Sequence, residues 1–275
     1  MTADVLTIAR LELTAVARLN WIRLLTAAFA LLAAAAAYSA GAADEISGAD
    51  GFARTTVTLV PVVLILVPLA AVILAVSGQS SEPDAQPFLF AQPVSRTAVF
   101  VGRWLGEAAA LGGAVAAGLG IGAGVIAFGS GVDGIGRFAL FAAAAIALAL
   151  VFLSLGAAIA AATEKRVAAL GAAVFTWFLF VLLYDGAMLS IAGQLTGRTG
   201  GRILFASIFG NPADLVRMVA LSWAGTPQVL GAAGDAWMRF LGGSAAAGAL
   251  AVGALTAWTL APLAAGAWLL RARDL

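Results

Sequence analysis

Apolar residues run along most of this chain in long stretches that short polar segments separate. Six of the stretches reach about 20 residues, the length that a helix needs to cross the hydrocarbon core of a bilayer. They cover residues 22–41, 56–78, 105–128, 138–162, 167–192 and 244–270. None alternates apolar and polar residues as a barrel strand does, and only helices or closed barrels satisfy the backbone in lipid. The pattern predicts an all-α integral membrane protein, with six transmembrane helices in a single transmembrane domain over residues 1–275.

A helix of a different kind is predicted before the first span. Its apolar residues share one arc and its polar residues the opposite arc: Val5, Ile8, Ala9, Val16 and Leu19 against Thr7, Arg10, Thr14 and Arg18. This periodicity is typical of an amphipathic helix in the membrane interface. Glu12 falls within the apolar arc, where it either pairs with an arginine or contacts a partner.

Composition agrees with a lipid environment and excludes several functions. The chain is 63% hydrophobic and 11% charged, whereas soluble domains have about 25% charged residues. A net charge of +1 without a basic stripe argues against nucleic acid as a partner. Cysteine and histidine are absent, which excludes disulfides, thiolate or imidazole metal ligands and catalytic Cys or His. We expect no catalytic residue, metal site or cofactor on this chain.

Basic residues predict the orientation of the spans. One side of the membrane would hold the larger group, Arg10, Arg18, Arg23, Arg96, Arg103, Lys165, Arg166, Arg271 and Arg273. The other side would hold Arg54, Arg137, Arg198, Arg202, Arg217 and Arg239. The richer side should be cytoplasmic, which places both termini and the segment 79–104 in the cytoplasm. The loop 193–243 would then face outward.

The segment 79–104 differs from an ordinary connector between spans. It is long, and it carries an apolar cluster, Phe88, Leu89 and Phe90, that an idle loop would not expose to water. Ser95 follows Pro93 and can cap a helix that continues into the third span. A solvated connector is the alternative, but the cluster favours a docking surface.

Several motifs resemble a known family. "QPVSRTAVFVGRWLG" resembles the cytoplasmic loop between spans two and three of type-2 ATP-binding-cassette (ABC) exporter permeases. The residues that match are Pro93, Ser95, Arg96, Gly102 and Arg103, with Glu82 and Asp84 where the family has an acidic patch. "PDAQP" replaces the usual Gly-Thr-Leu of that loop. "IARLEL", "TEKRVAALGAAVFTWFLFVLLYDGAML" and "NPADLVRMVALS" are similar to stretches of the NosY-like permeases, which serve assembly of the copper site in nitrous oxide reductase.

The resemblance implies a permease in a bacterial or archaeal inner membrane, working as a homodimer with cytoplasmic ABC ATPase subunits. ATP and Mg would bind those subunits, since this chain has no Gly-x-x-x-x-Gly-Lys-Ser/Thr motif. The residues expected to couple to the ATPase are Glu12, Glu82, Asp84, Phe88, Leu89, Phe90, Pro93, Ser95 and Arg96. The implied substrate is a sulfur or copper species. The alternatives are export of a lipid or small hydrophobic compound, and a secondary transporter.

Asp185 is the most informative charge within a span, because a buried Asp in a membrane helix usually has a role. It either pairs with another helix or an outer arginine, or it forms a translocation path or outer gate with Tyr184 and Met188. An intramembrane aspartyl protease would need a second carboxylate at the same depth. Asp133, Asp214 and Asp235 are all expected in outer loops, which disfavours that activity. Glu107 is expected at the cytoplasmic interface.

Two further stretches predict packing and partner contact. In "NPADLVRMVAL" Asn211 can cap a helix and Pro212 suits its first turn, which predicts a short helix on the outer membrane surface. Its Asn211, Pro212, Asp214 and Arg217 would meet a periplasmic partner. "GLGIGAG" has small-xxx-small spacing at 118 and 122 and at 120 and 124, typical of close helix packing within or between protomers.

Overall fold

The computed structural model describes residues 2–41, 48–79, 95–194, 198–224, 237 and 244–272. Ten α-helices can be followed through these ranges. They are α1 (Thr2–Ala17), α2 (Asn20–Gly41), α3 (Gly48–Gln79), α4 (Arg96–Ser130), α5 (Ile135–Ala162), α6 (Arg166–Phe178), α7 (Tyr184–Gly193), α8 (Arg198–Gly210), α9 (Pro212–Trp223) and α10 (Ser244–Ala272). A π-helical segment, Leu179–Leu183, joins α6 to α7.

The six predicted spans are confirmed. Among the described residues, six helices are long and apolar enough to cross a membrane. They are α2 (span one), α3 (span two), α4 (span three), α5 (span four), the continuous α6–α7 unit (span five) and α10 (span six). The helices run past the predicted spans, most of all α3 and α4, because backbone hydrogen bonding continues where the side chains become polar. The chain is an all-α integral membrane protein.

Local sequence explains where α4 begins and how the chain turns between α4 and α5. Ser95 caps α4, since its hydroxyl accepts a hydrogen bond from the Ala98 backbone N–H at 3.2 Å. The turn after α4 contains Gly131 and Gly134 at φ of 94° and 97°, a left-handed conformation that other residues adopt at a cost. The Ser95 cap confirms the predicted start of α4, and the two glycines form the turn that leads into α5.

The core lies where α3 and α5 cross. Val63, Val67 and Ala71 on α3 are fully buried, as are Leu148 and Phe152 on α5. Span two is the most buried span, whereas spans five and six are the least buried. Spans two, three and four therefore form the packed centre, and spans five and six lie at its periphery.

The glycines of α4 divide between two environments. A Cβ added at Gly118 would lie 2.6 Å from the Phe29 Cβ, and one at Gly122 would lie 2.5 Å from the Ala33 Cβ. A Cβ at Gly120 or Gly124 would have no described atom within 4 Å. The first pair therefore packs α4 against α2 within the chain, and the second pair faces open space.

The segment after span five is built differently from the predicted surface helix. Its described residues form two helices, α8 and α9, and α9 packs against α3, α5 and α10. Most of the α9 surface is apolar and buried, including Leu215, Val216, Met218 and Val219. The predicted helix is present as α9, but its packing buries most of its side chains and leaves Asp214 and Arg217 partly exposed. Its position at the outer membrane surface stays a prediction.

Candidate functional site

A cavity of about 570 Å³ opens between span two, span five and the α8–α9 pair. Its walls are largely aliphatic. They are formed by Val57, Val60, Pro61, Leu64 and Ile65 of α3, by Val181, Leu182, Asp185, Met188 and Leu189 of span five, and by Ser207, Ile208, Asp214, Arg217, Met218 and Leu221 of α8 and α9. The volume is in the range of small-molecule pockets.

An ionic cluster forms the polar part of the cavity wall. Arg217 Nη1 lies 2.5 Å from Asp185 Oδ2 and 3.1 Å from Asp214 Oδ1. The exposed fractions of the side chains are 30% for Arg217, 38% for Asp185 and 14% for Asp214. Because one guanidinium meets two carboxylates, the cluster carries a formal charge of −1 when both acids are ionised.

The two carboxyl groups of this cluster also meet each other. Asp214 is within hydrogen-bonding reach of the Asp185 carboxyl, and Asp185 Oδ1 is buried without another hydrogen-bond partner among the described residues. A proton on Asp214 would allow a hydrogen bond between the two carboxyl groups. Burial raises the pKa of Asp214 to about 7, and the hydrogen bond with Asp185 acts in the same direction while Arg217 opposes it. Asp214 can therefore exchange a proton near neutral pH.

Asn211 explains why α9 lies where it does. Its side-chain oxygen accepts a hydrogen bond from the Ala213 N–H at 3.0 Å, which caps α9. Its side-chain nitrogen donates to the Phe180 carbonyl at 2.8 Å, within the π-helical segment of span five. One fully buried residue thus joins the start of α9 to the segment in span five where the helix widens.

Two tryptophans connect the walls around this site. Trp177 Nε1 on α6 donates to the Ile65 carbonyl of span two at 3.0 Å. Trp258 Nε1 on α10 donates to the Phe209 carbonyl at the end of α8, also at 3.0 Å. These bonds hold span five to span two, and span six to the α8–α9 pair.

The structure brings together some predicted site residues and adds others. Asp185 and Met188 line the cavity, while the Tyr184 hydroxyl donates to the Ser207 carbonyl at 2.9 Å beside it. Asp185 forms the expected pair with an arginine, which is Arg217, while the outer position of that pair and the translocation path or outer gate stay predictions. Sequence reasoning missed the meeting of Asp185 with Asp214, which it placed in an outer loop; the Asp214–Arg217 spacing of three on a helix was the available signal.

This meeting does not make a protease site. Two acids that share a proton are required for that chemistry, but here Arg217 forms an ion pair with both. Arg217 holds one oxygen of each carboxylate, so the two acids are not both open to one water molecule. The cluster is suited to holding or exchanging a charge.

The predicted contact of α9 with an outer partner stays a prediction. Asn211 and Pro212 are buried within the chain itself. Such a partner would reach the partly exposed side chains of Asp214 and Arg217.

At the other end of the bundle, hydrogen bonds connect spans two and three on both sides of the predicted coupling loop. Gln79 Nε2 donates to the Phe100 carbonyl at 3.2 Å, and Arg103 Nη1 donates to the Gly78 carbonyl at 2.9 Å. Ser95 and Arg96 begin α4. The other predicted coupling residues of this loop, Glu82, Asp84, Phe88, Leu89, Phe90 and Pro93, lie outside the described residues.

The N-terminal helix packs against the same end of span three. A Cβ at Gly106 would lie 2.6 Å from the Ala9 carbonyl oxygen, and one at Gly102 would lie 2.8 Å from the Ile8 Cβ. The apolar arc of α1 therefore faces α4, while Leu6 and Leu11 on the opposite side are exposed. These two glycines allow the close approach.

Two glutamates meet where α1, α3 and α4 converge. Glu107 is fully buried, and both of its carboxylate oxygens lack a hydrogen-bond partner among the described residues. A Cβ at Gly78 would collide with Glu107 and lie 3.6 Å from Glu12 Oε1. Burial raises the pKa of Glu12, and the nearby Arg103 opposes that rise. Glu107 is covered by α1 within the protein, and its expected position at the cytoplasmic interface stays a prediction.

Comparison with known proteins gives a consistent family. The profile of the ABC-2 family transporter proteins matches residues 6–275. The chain belongs to the ABC-2 transporter family. It is 32% identical over 222 residues to a protein of Pseudomonas aeruginosa named "Probable ABC transporter permease protein NosY", covering 78% of this chain and 81% of the relative. It is 28% identical over 223 residues to a protein of the same name from Stutzerimonas stutzeri, covering 78% and 80%.

This membership confirms the predicted resemblance to NosY-like permeases. The ABC-2 chain is a membrane subunit of an ABC transporter, and its family implies association with an ABC ATPase. Its ionic cavity and its glutamate cluster lie on different parts of the bundle, and the end of span two that precedes the predicted ATPase-coupling segment lies next to the glutamates.

Proposed function

We propose that this chain is the permease subunit of an ATP-driven exporter, and that segment 79–104 couples it to a separate cytoplasmic ATPase. The carrying observation is how the described residues on both sides of that segment are held together. Gln79 and Arg103 connect the end of span two to the start of span three. A displacement of the loop would therefore move both spans together.

The same end also receives α1 and span six. Glu12 of α1 lies beside Arg103, and Arg271 Nε donates to the Thr97 hydroxyl at 3.3 Å. Four helices thus converge where the ATPase would press, which supports a role for Glu12 in coupling. In this proposal ATP and Mg bind the ATPase subunits, and two permease protomers enclose the path. The exposed apolar side chains of span five, such as Phe175, Phe178 and Leu182, are available for that second protomer.

Two substrate classes remain as proposals. The resemblance to NosY-like permeases supports a sulfur or copper species for nitrous oxide reductase maturation, with a periplasmic partner on the outer side. The cavity favours the second class, a lipid or small hydrophobic compound, because its volume and aliphatic walls exceed what a single ion requires.

The coupling proposal is tested by coexpressing the chain with its ATPase. Charge reversal by Glu82→Lys with Asp84→Lys should abolish copurification and remove the response of ATP hydrolysis to the permease. Glu164→Lys is the matched control, since Glu164 is exposed in a turn predicted on the same side. Retention of copurification and hydrolysis in the double variant would reject loop 79–104 as the coupling element.

The proposed orientation can be measured directly because the chain has no cysteine. Single variants Glu164→Cys and Asp133→Cys place one thiol in each of two exposed turns at opposite ends of α5. In intact cells a membrane-impermeant maleimide should label Asp133→Cys and leave Glu164→Cys unlabelled until the cells are opened. The reverse pattern would place the termini outside.

A further inference from the structure

We propose that the cavity between spans two and five binds an organic cation with an apolar body, and that Asp185 and Asp214 hold its positive charge. The inference deepens the proposed function, since it takes the cavity as the place where an exported compound binds. It concerns binding, which can be measured without the ATPase.

The charge balance of the cluster is the first support. Arg217 neutralises one of two carboxylates, so the ionised cluster lacks one positive charge. An uncompensated charge next to apolar walls is costly. Either a proton or a cationic ligand restores neutrality.

The position of the unsatisfied atom is the second support. Asp185 Oδ1 is buried and has no hydrogen-bond partner among the described residues, while Oδ2 of the same carboxylate is held by Arg217. One oxygen of the carboxylate is therefore paired with Arg217, while the negative charge on the other oxygen has no hydrogen-bond partner among the described residues. The positive charge of an organic cation in the adjoining cavity would balance this negative charge without a hydrogen bond.

The walls determine the body of the ligand. Aliphatic side chains such as Val60, Leu64 and Leu221 surround the cluster, and Met188 and Met218 contribute polarizable thioethers that adapt to irregular shapes. A bare metal ion would leave these walls unmatched. Among the described residues there is also no group of three or more His, Cys, Asp or Glu side chains that could hold one.

A proton should compete with the cation at this site. Asp214 has a pKa raised to about 7 by burial and by its hydrogen bond with Asp185, so below that pH the cluster becomes neutral. The Tyr184 hydroxyl, which donates to the Ser207 carbonyl, lies near both carboxylates. Other charged side chains on the helices that pack around Asp214 are exposed: Asp50 and Arg54 on α3, Arg137 on α5, Arg166 on α6, Arg202 on α8 and Arg271 on α10.

The test compares two ions of similar shape and opposite charge, tetraphenylphosphonium and tetraphenylborate. Binding to the purified chain in lipid nanodiscs is measured by equilibrium dialysis, with empty nanodiscs subtracted. At about pH 8 the phosphonium should bind at least about tenfold more tightly than the borate, and this preference should fall at about pH 5.5 as Asp214 takes up a proton. Equal binding of the two ions at both pH values would overturn the proposal with no variant involved.

Two substitutions assign the effect to the cluster. Asp185→Asn and Asp214→Asn each leave Arg217 one carboxylate, so the cluster becomes neutral. Each should weaken phosphonium binding about tenfold, equivalent to about 1.4 kcal/mol, and Asp214→Asn should also remove the pH dependence. Asp133→Asn, in an exposed turn, should bind as the parent does. Parent-like binding by both cluster variants would place the cation elsewhere and reject the site.

The result is separable from the proposed function. A chain that prefers the phosphonium but does not copurify with an ATPase would uphold the site and reject the coupling. A chain that copurifies with the ATPase but does not distinguish the two ions would reject only the site.

Discussion

The packing of α4 against α2 can be tested with a pair of glycines one half-turn apart. Gly122 is buried, and a Cβ added there would lie 2.5 Å from the Ala33 Cβ and 3.2 Å from the Ala33 carbonyl carbon. Because one of these atoms belongs to the backbone, rotation of a side chain cannot relieve the overlap. Gly124→Ala is the control, since a Cβ at Gly124 has no described atom within 4 Å.

The magnitude follows from the difference between the two variants. Replacing Gly by Ala inside a helix favours folding by up to about 1 kcal/mol in either position. That gain cancels in the comparison, and the remaining difference is the cost of overpacking at Gly122, about 1–3 kcal/mol. Gly122→Ala should therefore be less stable than Gly124→Ala by this amount.

The assay is unfolding of each variant from mixed micelles by increasing detergent denaturant, followed by tryptophan fluorescence. Gly118→Ala and Gly120→Ala repeat the comparison one turn earlier, where a Cβ would lie 2.6 Å from the Phe29 Cβ or in open space. Equal stability of the buried-site and open-site variants would refute the packing of α4 on α2. Destabilisation confined to the open-site pair would show that this face is the packed one.

Three further predictions concern the walls of the cavity. Trp177→Phe removes the 3.0 Å hydrogen bond to the Ile65 carbonyl and should lower the free energy of unfolding by about 1 kcal/mol. Trp268→Phe, at a side chain that is 66% exposed, should change it little, and equal effects of the two variants would contradict this role of Trp177. Asn211→Ala removes both the cap of α9 and the hydrogen bond to span five, so the free energy of unfolding should fall by about 1–3 kcal/mol, measured as a lower thermal midpoint. An unchanged midpoint would show that α9 is held by apolar contacts alone. The pKa of Asp214 rises from 3.8 to about 7 on folding, so between these two pH values the folded state binds more protons than the unfolded state. The free energy of unfolding should therefore decline as pH rises through this range, by at most about 1.4 kcal/mol per pH unit. Asp214→Asn should flatten this profile, and an identical slope in the variant would assign the titration to another group.

Much of the fold follows from the sequence because bilayer thickness imposes a length on each apolar stretch. The six spans, the helix before them and the helix start at Ser95 all depend on residues near one another in the chain. Asn211 as the cap of α9 is of the same kind, since the capping side chain acts on a backbone group two residues away. The length of the apolar stretch also placed Asp185 within a span, where its charge needs a partner.

Tertiary structure decided which distant groups meet. Residues in different helices are brought together by packing, which single-chain periodicity does not encode. Packing of α9 against α3, α5 and α10 brings Asp214 and Arg217 to Asp185. For the same reason Glu107 is buried under α1, although its position in the chain suggested an interface.

The sequence by itself therefore determined the membrane class, the span count and the family. Only the packing of helices showed that Gly118 and Gly122 contact α2 while Gly120 and Gly124 do not, since all four share the same local spacing. It also showed that two carboxylates and one guanidinium form the polar wall of a cavity. The physical reason is that side-chain spacing along a helix fixes a face, but the neighbour that covers this face is set by how all the helices fill space together.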